Sequence, residues 1–241
     1  MNEKFFDLKK EKQDRMINAA LKVFALNGYR HASTDDIVRE AAISKGLLFH
    51  YFENKLGVYA FVYDYSVRYL LLELSTAVDA KETDLFTLMQ QVETGKMHAM
   101  CGYPYLQPFL NRAQAENVNE ALVAVEERKQ QMEEAYENIY ARADLGKYAA
   151  AEDVVKLRKM MELTIKGLMN ERILEDAFQP EMLYEEILEY LQLSRRLAER
   201  SGQPSDEEIT EKYDHKCIEF LNKILWLFRH LIGGICGISA F

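Results

Sequence analysis

The chain has 241 residues with only 4 prolines and 11 glycines, which excludes collagen-like and proline-rich disordered classes and favours a helical globular protein. The formal net charge is −9, but residues 1–60 carry ten basic and eight acidic side chains, a balance of +2, while residues 61–241 carry −11. A mildly basic head on an acidic body is compatible with nucleic-acid binding, because DNA contact needs a local basic patch only.

Three cysteines without metal-type spacing are expected to be reduced thiols in the cytoplasm. The charged N-terminus lacks an apolar run, so secretion is not expected.

The first predicted helix runs from about Lys9 to Asn27 and follows a loose arm over residues 1–8. Its apolar residues recur at helical spacing and form one stripe. The stripe consists of Met16, Ile17, Ala20, Leu21, Phe24 and Ala25. Gly28 is expected to end the helix, since glycine readily adopts the left-handed backbone of a helix terminus.

Two short helical patterns separated by a tight break occupy residues 33–56. The first runs from Asp35 to Ala42, with Ser33 or Thr34 as the N-cap. The second runs from Lys45 to Tyr51, with Ser44 as its N-cap. Leu48 and Phe52 lie four residues apart and are predicted to face the core.

The outward face of the second helix has an unusual composition for a solvated surface. It carries a cation, aromatic rings, an aliphatic side chain and a glycine, and there is no carboxylate between Glu40 and Glu53. A short helix of this kind after a tight turn suits the DNA major groove. The predicted DNA contacts are Thr34, Ser44, Lys45, Gly46, Leu47, Phe49, His50, Tyr51 and Lys55.

The run Ala41-Ala42-Ile43-Ser44-Lys45-Gly46-Leu47-Leu48-Phe49-His50-Tyr51-Phe52, followed by Asn54-Lys55, resembles the helix-turn-helix of TetR-type (tetracycline-repressor-like) transcriptional regulators. The family pattern is approximately AGVSKGTLYHYFKSKEEL. The chain departs from it at Ala42, which is usually glycine, at Leu47, often a small polar residue, and at Leu56-Gly57, usually acidic. The alternative is an αα-hairpin whose exposed aromatics serve packing.

The resemblance implies an all-α fold in two parts. Residues 1–56 would form a three-helix helix-turn-helix DNA-binding domain, and residues 57–241 a helical ligand-binding and dimerisation domain. A long helix over about Lys55 to Asp79 would join the two parts. The body pattern predicts further helices over about 84–101, 104–115, 117–144, 151–174, 181–200 and 206–232.

Soft and aromatic side chains are concentrated between residues 89 and 140. The resemblance places an effector pocket in this region, and the predicted lining is mostly apolar with tyrosine hydroxyls as polar anchors. The predicted effector contacts are Met97, Cys101, Tyr103, Phe109, Met132, Tyr136 and Tyr140. The alternative is ordinary bundle core, because methionine and tyrosine fill helical cores as well.

The helices over 151–174 and 181–200 have apolar stripes that one bundle does not fully cover. The resemblance implies that two late helices pair with their copies in a homodimer, which would present two reading heads to a palindromic operator. The alternative is packing within one chain. The apolar segment 206–241 is interrupted by Lys223, Arg229 and His230, so an extra helix on the bundle is preferred over a membrane-surface helix.

The resulting prediction is a cytoplasmic, homodimeric transcriptional regulator, a repressor released from double-stranded DNA when a small, largely apolar effector binds. No nucleophile–base constellation, metal cluster or phosphate loop is visible among the residues, so no catalysis, cofactor or metal is expected. The alternative classes are an enzyme and a membrane-associated helical adaptor that uses the last helix.

Overall fold

The computed structural model describes residues 3–148, 151–174 and 178–200, and the regular secondary structure within them is helical. The helices are α1 (Lys10–His31), α2 (Thr34–Glu40), α3 (Lys45–Phe52), α4 (Lys55–Ala77), α5 (Leu85–Gly102), α6 (Leu106–Gln114), α7 (Asn119–Tyr140), α8 (Ala151–Arg172) and α9 (Pro180–Arg200). Single 3-10 turns occupy Glu3–Phe5 and Leu145–Lys147. The predicted all-α class is confirmed, and the predicted helix ends lie within a few residues of the observed ones.

Helix α1 buries the stripe that its sequence predicts and forms the centre of the N-terminal helices. Met16, Ile17 and Phe24 are almost fully buried. The helical backbone is interrupted at Gly28, which has φ 66° and ψ 176°, a conformation that side chains other than glycine rarely adopt. The regular helix therefore breaks at Gly28, as predicted, and a further short helical stretch continues to His31.

The turn between α2 and α3 requires a left-handed backbone at Ala42, where φ is 51°. A Cβ atom makes this conformation cost about 1–2 kcal/mol relative to glycine. This geometry gives a physical reason for the glycine that the family pattern has at this position.

The turn between α3 and α4 is tighter still. Glu53 has φ 64° and ψ −51°, and the Asn54 N–H donates to the Phe52 carbonyl oxygen at 2.6 Å, which is a γ-turn of the rare positive-φ kind. The Asn54 Oδ1 atom then accepts from the Gly57 N–H at 2.8 Å and caps α4. This turn fixes the direction of α3 relative to α4.

Substituting Gly57→Ala is expected to lower the free energy of unfolding by about 1–3 kcal/mol, because overpacking forces the backbone to move. A Cβ atom at this position would overlap with the Phe52 carbonyl oxygen, which is backbone and cannot swing aside. Urea denaturation followed by circular dichroism measures the change. The control is Gly46→Ala, since a Cβ there has nothing within 4 Å; equal stabilities of the two variants would contradict the prediction.

The N-terminal arm is ordered, so the expectation of a loose arm over residues 1–8 is wrong for the part described. Phe5 is fully buried, and its ring lies 4.9 Å from that of Phe61 and 5.2 Å from that of Phe52, between centroids. The Gln13 Nε2 atom also donates to the Leu8 carbonyl oxygen at 2.7 Å. The aromatic side chain at position 5 therefore braces the end of α3 against α4.

The body packs on the N-terminal helices mainly through α4 and α6. Helix α4 extends from the end of α3 to contact α5 and α7, while α6 lies along α1. Helices α8 and α9 pack with α5 around a second buried apolar cluster. No helix of the described residues is long and apolar enough to cross a membrane. The predicted helix over 206–232, and the rest of segment 206–241, lie outside the described residues.

Candidate DNA-binding surface and effector cavity

Helix α3 is capped, anchored on one side and open on the other. The Ser44 Oγ atom accepts from the Leu47 N–H at 3.2 Å, the predicted N-cap bond. Leu48 and Phe52 are buried, as predicted. The open face carries exposed and half-buried residues. Ser44, Lys45, Gly46 and His50 are exposed, and Leu47, Phe49 and Tyr51 are half-buried.

The open face of α3 is stiffened by ring contacts. The Tyr51 ring lies 5.7 Å from the buried Phe5 ring and 4.9 Å from the His50 ring, both edge to face. Edge-to-face pairs each add about 0.5–1.5 kcal/mol beyond area burial. The half-buried Tyr51 therefore both faces outward and helps to hold α3 in place.

Lys45 has a weak carboxylate partner. Its Nζ atom lies 2.8 Å from an oxygen of Asp35, and both side chains are more than half exposed. Exposed pairs of this kind contribute about 0–1 kcal/mol. A phosphate oxygen can therefore replace Asp35 at little cost.

Two of the predicted contact residues have additional structural roles or neighbours. The Lys55 Nζ atom donates to the carbonyl oxygens of Tyr29 (2.9 Å) and Ala32 (3.3 Å) at the end of α1, and it lies 4.5 Å from the Tyr29 ring centroid. In this arrangement Lys55 ties α1 to the start of α4, and its phosphate contact stays a prediction. Thr34 is half-buried at the first position of α2, and the N-cap is Ser33, whose Oγ accepts from the Asp35 N–H at 3.1 Å.

A cavity of about 490 Å³ lies between α5, α6, α7 and α8, within the size range of small-molecule sites. We call it the α5–α8 cavity. Its lining comprises Leu85, Met89, Glu93, Lys96, Gln107, Asn111, Gln114, Tyr136, Glu137, Tyr140, Ala141, Ala143, Leu145, Val155, Arg158, Glu162, Ile165, Lys166 and Met169. Of the predicted effector residues, it brings together Tyr136 and Tyr140.

The other predicted effector residues lie away from this cavity. Phe109 and Met132 are buried in the core shared with the N-terminal helices. Cys101 is exposed, with its Sγ atom 3.2 Å from Glu181 Oε1. Met97 is half-buried one helical turn away, with its Sδ atom 3.5 Å from Cys101 Sγ. The placement of these four residues in the cavity wall is not supported by this geometry.

Tyr103 joins the body to α1 rather than lining the α5–α8 cavity. Its hydroxyl donates to Asp14 Oδ1 at 2.6 Å and lies 2.7 Å from the Tyr65 hydroxyl. Lys10 Nζ donates to the same Tyr103 oxygen at 2.9 Å. Burial, followed by the bonds to Asp14 and Tyr65, raises the pKa of Tyr103 well above its usual range. The hydroxyl therefore stays protonated and keeps the hydrogen that it donates to Asp14.

The α5–α8 cavity carries more charge than the predicted lining of apolar residues and tyrosines. The Lys96 Nζ atom lies 2.7 Å from Glu93 Oε1, with both side chains largely buried, and 5.5 Å from the Tyr136 ring centroid. Burial opposes the charge of Lys96, but Glu93 and the hydroxyls of Tyr136 and Tyr140 outweigh it and raise the pKa of Lys96. The sequence signal for this pair is the Glu-x-x-Lys spacing on one helix, which is also common on solvated faces.

Two buried polar atoms in residues of the cavity wall have no hydrogen-bond partner. They are the Tyr136 hydroxyl and the Gln107 Oε1 atom. Gln107 uses its amide to donate to Asn111 Oδ1 at 2.9 Å, leaving its carbonyl oxygen unmatched. Buried polar atoms without a protein partner are uncommon in folded proteins, and such an atom is able to hydrogen-bond to a ligand or a water.

A second groove, of about 690 Å³, lies between the start of α4 and α7. None of the predicted effector residues lines it. Its acidic centre, Asp64, is already paired with Arg68 at 3.0 Å and with Arg128. The α5–α8 cavity is therefore the better candidate for a small-molecule site.

Comparisons with known proteins agree with the helix-turn-helix. Residues 16–60 match the family model for bacterial regulatory proteins of the tetR family, a family of regulators and not of enzymes. The chain is 36% identical over 78 residues to the HTH-type transcriptional regulator YuxN of Bacillus subtilis, covering 31% of this chain and 26% of YuxN. It is 41% identical over 49 residues to the HTH-type transcriptional regulator TtgW of Pseudomonas putida, covering 20% of this chain and 37% of TtgW. The chain thus spans between 26% and 37% of the length of these curated relatives.

Most of the chain has a counterpart in fold among solved structures. A TetR family transcriptional regulator from Chloroflexus aurantiacus J-10-FL aligns with a TM-score of 0.50 at 22% identity, covering 83% of this chain and 93% of that one. The likeness shows the fold: N-terminal helices with a helix-turn-helix, followed by a helical C-terminal domain.

Proposed function

We propose that this chain, a TetR-type regulator, binds double-stranded DNA by inserting α3 into the major groove. The observation that carries the proposal is the face of α3: it exposes Ser44, Lys45, Gly46 and His50, while Leu48 and Phe52 hold the helix on the core from the other side. Such a helix can contact base edges and phosphates without unfolding. The proposed working location is the cytoplasm, where the DNA is accessible.

The proposed domain boundary lies between residues 56 and 57, inside the first turn of α4. Residues 1–56 then form the DNA-binding domain, and residues 57–241 the ligand-binding and dimerisation domain. Because α4 starts at Lys55 and continues to Ala77, the two domains share one rigid helix. A change in the body can therefore reorient α3.

We further propose that α8 and α9 form a homodimer interface. Met160 and Leu163 on α8 are 38% and 44% exposed, and Met182 on α9 is 64% exposed. Exposed large apolar side chains on late helices suit burial against a second copy. A two-fold dimer would present two α3 helices to a palindromic operator, separated by about 34–36 Å or a multiple of it.

Repression with release by an effector is the regulatory mode that we propose, with a small, largely apolar effector in the α5–α8 cavity. Helix α6 supports a route from that cavity to the DNA-binding domain. Gln107 and Asn111 line the cavity, whereas Phe109 on the same helix packs 6.1 Å from the Phe24 ring of α1. A ligand that binds one orientation of α6 more tightly than another would shift the population toward that orientation. Helices α1 and α3 would move with α6.

Substituting Gly46→Ala is expected to weaken DNA binding by about tenfold while leaving the fold intact. Gly46 is exposed and a Cβ there meets no protein atom, so an added methyl group would meet the duplex instead. Fluorescence anisotropy with a DNA fragment selected from a random library by the wild-type protein measures the loss.

The control for this substitution is Gly102→Ala, at the exposed end of α5, where an added Cβ would lie 3.3 Å from the Tyr69 hydroxyl at the far end of that side chain. It is expected to bind the same fragment as wild type does. Unchanged affinity of the Gly46→Ala protein would contradict the close approach of this helix turn to DNA.

A further inference from the structure

Three cationic side chains line the α5–α8 cavity, and they differ in their partners. Lys96 pairs with Glu93 at 2.7 Å, and Arg158 pairs with Glu162 at 3.3 Å. Lys166 has a neutral hydrogen-bond partner, donating to Gln114 Oε1 at 2.9 Å. Lys166 is thus the cation of this wall that is best placed to take an anionic partner.

The surroundings of Lys166 disfavour its positive charge. Partial burial of its ammonium group lowers the pKa of Lys166, and the positive charges of Lys159 and Lys96 lower it further, while Glu162 raises it. A positive local potential of this kind is relieved when an anion binds nearby. Because Lys166 is exposed, an anion can reach it from solvent.

The remainder of the wall suits an apolar body. Leu85 and Met89 from α5 face Ile165 and Met169 from α8 around the same space, and methionine adapts its shape to a ligand. Three carboxylates line the same wall: Glu93 is paired with Lys96, Glu162 is paired with Arg158, and Glu137 is exposed to solvent. An anion at Lys166 is also attracted by Lys159 and Lys96, whose charges act on the same place, so it gains more than a cation gains at Glu137.

We propose that the α5–α8 cavity binds an amphipathic organic anion, with a carboxylate at Lys166 and an apolar body between Met89 and Met169. This inference rests on the proposed effector site and names its ligand class. The polar atoms of Tyr136 and Gln107 that have no partner would add selectivity for a hydroxyl or amide on that body. The predicted largely apolar effector is thereby refined to one that carries a single negative charge.

The test uses three probes with the same apolar chain and different heads: decanoate, 1-decanol and decylammonium. Isothermal titration calorimetry of the full chain is expected to show decanoate binding about tenfold tighter than 1-decanol, since a charge-assisted hydrogen bond is added. Decylammonium is expected to bind more weakly than either. Absence of decanoate binding, or tightest binding by decylammonium, would overturn the proposal.

Substituting Lys166→Met is expected to lower the affinity for decanoate about tenfold and to leave the affinity for 1-decanol unchanged. The matched control is Lys156→Met, an exposed lysine of α8 that pairs with Asp153 and is not among the lining residues; its decanoate affinity should stay within about twofold of that of wild type. Lys166→Arg should restore decanoate binding. An equal loss in the two methionine variants, or none in Lys166→Met, contradicts the assignment of Lys166.

Failure of this inference can be told apart from failure of the proposed function. Wild-type protein that binds its selected DNA but not decanoate leaves the regulator standing and refutes the ligand class. Protein that binds decanoate through Lys166 but selects no DNA supports the ligand class and refutes the proposed DNA binding.

Discussion

Combining Lys45→Ala, His50→Ala and Tyr51→Phe is expected to lower affinity for the selected DNA by about a hundredfold or more, because each base or phosphate contact contributes about 1–3 kcal/mol. Phenylalanine is chosen at position 51 because the Tyr51 ring packs on Phe5 at 5.7 Å. Removing the hydroxyl would take away the predicted DNA contact and leave the bracing ring. Fluorescence anisotropy at several salt concentrations gives the affinity and its salt dependence.

The salt series separates loss of contacts from loss of fold. Loss of the Lys45 phosphate contact should reduce the slope of log affinity against log salt by about 1. The control is Lys156→Ala, an exposed lysine on α8 that pairs with Asp153 at 3.1 Å. A triple variant that folds like wild type and binds DNA equally well would contradict the proposal that α3 contacts the DNA bases.

Substituting Phe109→Ala is expected to lower the free energy of unfolding by about 3–5 kcal/mol, the usual cost of emptying a large aromatic site. Phe109 is 1% exposed, and its ring centroid lies 5.5 Å from that of Tyr59 and 6.0 Å from that of Tyr63. Urea denaturation monitored by circular dichroism measures the change.

This result separates a core role for Phe109 from the effector contact that its sequence region predicts. The control is Tyr140→Phe in the cavity wall, which keeps the ring over which Arg158 lies at 4.9 Å and should change stability by less than about 1 kcal/mol. A loss below about 1 kcal/mol in Phe109→Ala would contradict the core role. Unaltered decanoate binding by the milder variant Phe109→Leu would support it.

The helices and the open face of α3 could be predicted because their signals are local. Ser44 caps a helix three residues from the N–H that it accepts from, and Leu48 and Phe52 mark the buried side by a spacing of four. Such features depend on neighbours within one or two turns. The agreement of residues 16–60 with the tetR family model comes from this same stretch.

The effector residues could not be predicted one by one. Phe109 and Gln107 are two apart on α6, yet one enters the core beside α1 and the other reaches the cavity. Tyr103 is bonded to Asp14, 89 positions away. A run rich in methionine and tyrosine marks a region, but the neighbours that each side chain meets belong to distant helices.

The sequence by itself determined the helical class, the order of the described helices and the outward set of α3, because backbone capping and apolar spacing act over short distances. Tertiary structure alone decided that Phe5 braces α3, that Lys55 ties α4 to α1, and that Lys96, Arg158 and Lys166 meet around one cavity. Each of these depends on helices far apart in the chain packing at a particular angle. That angle is set by the summed fit of many side chains, which no single stretch of sequence contains.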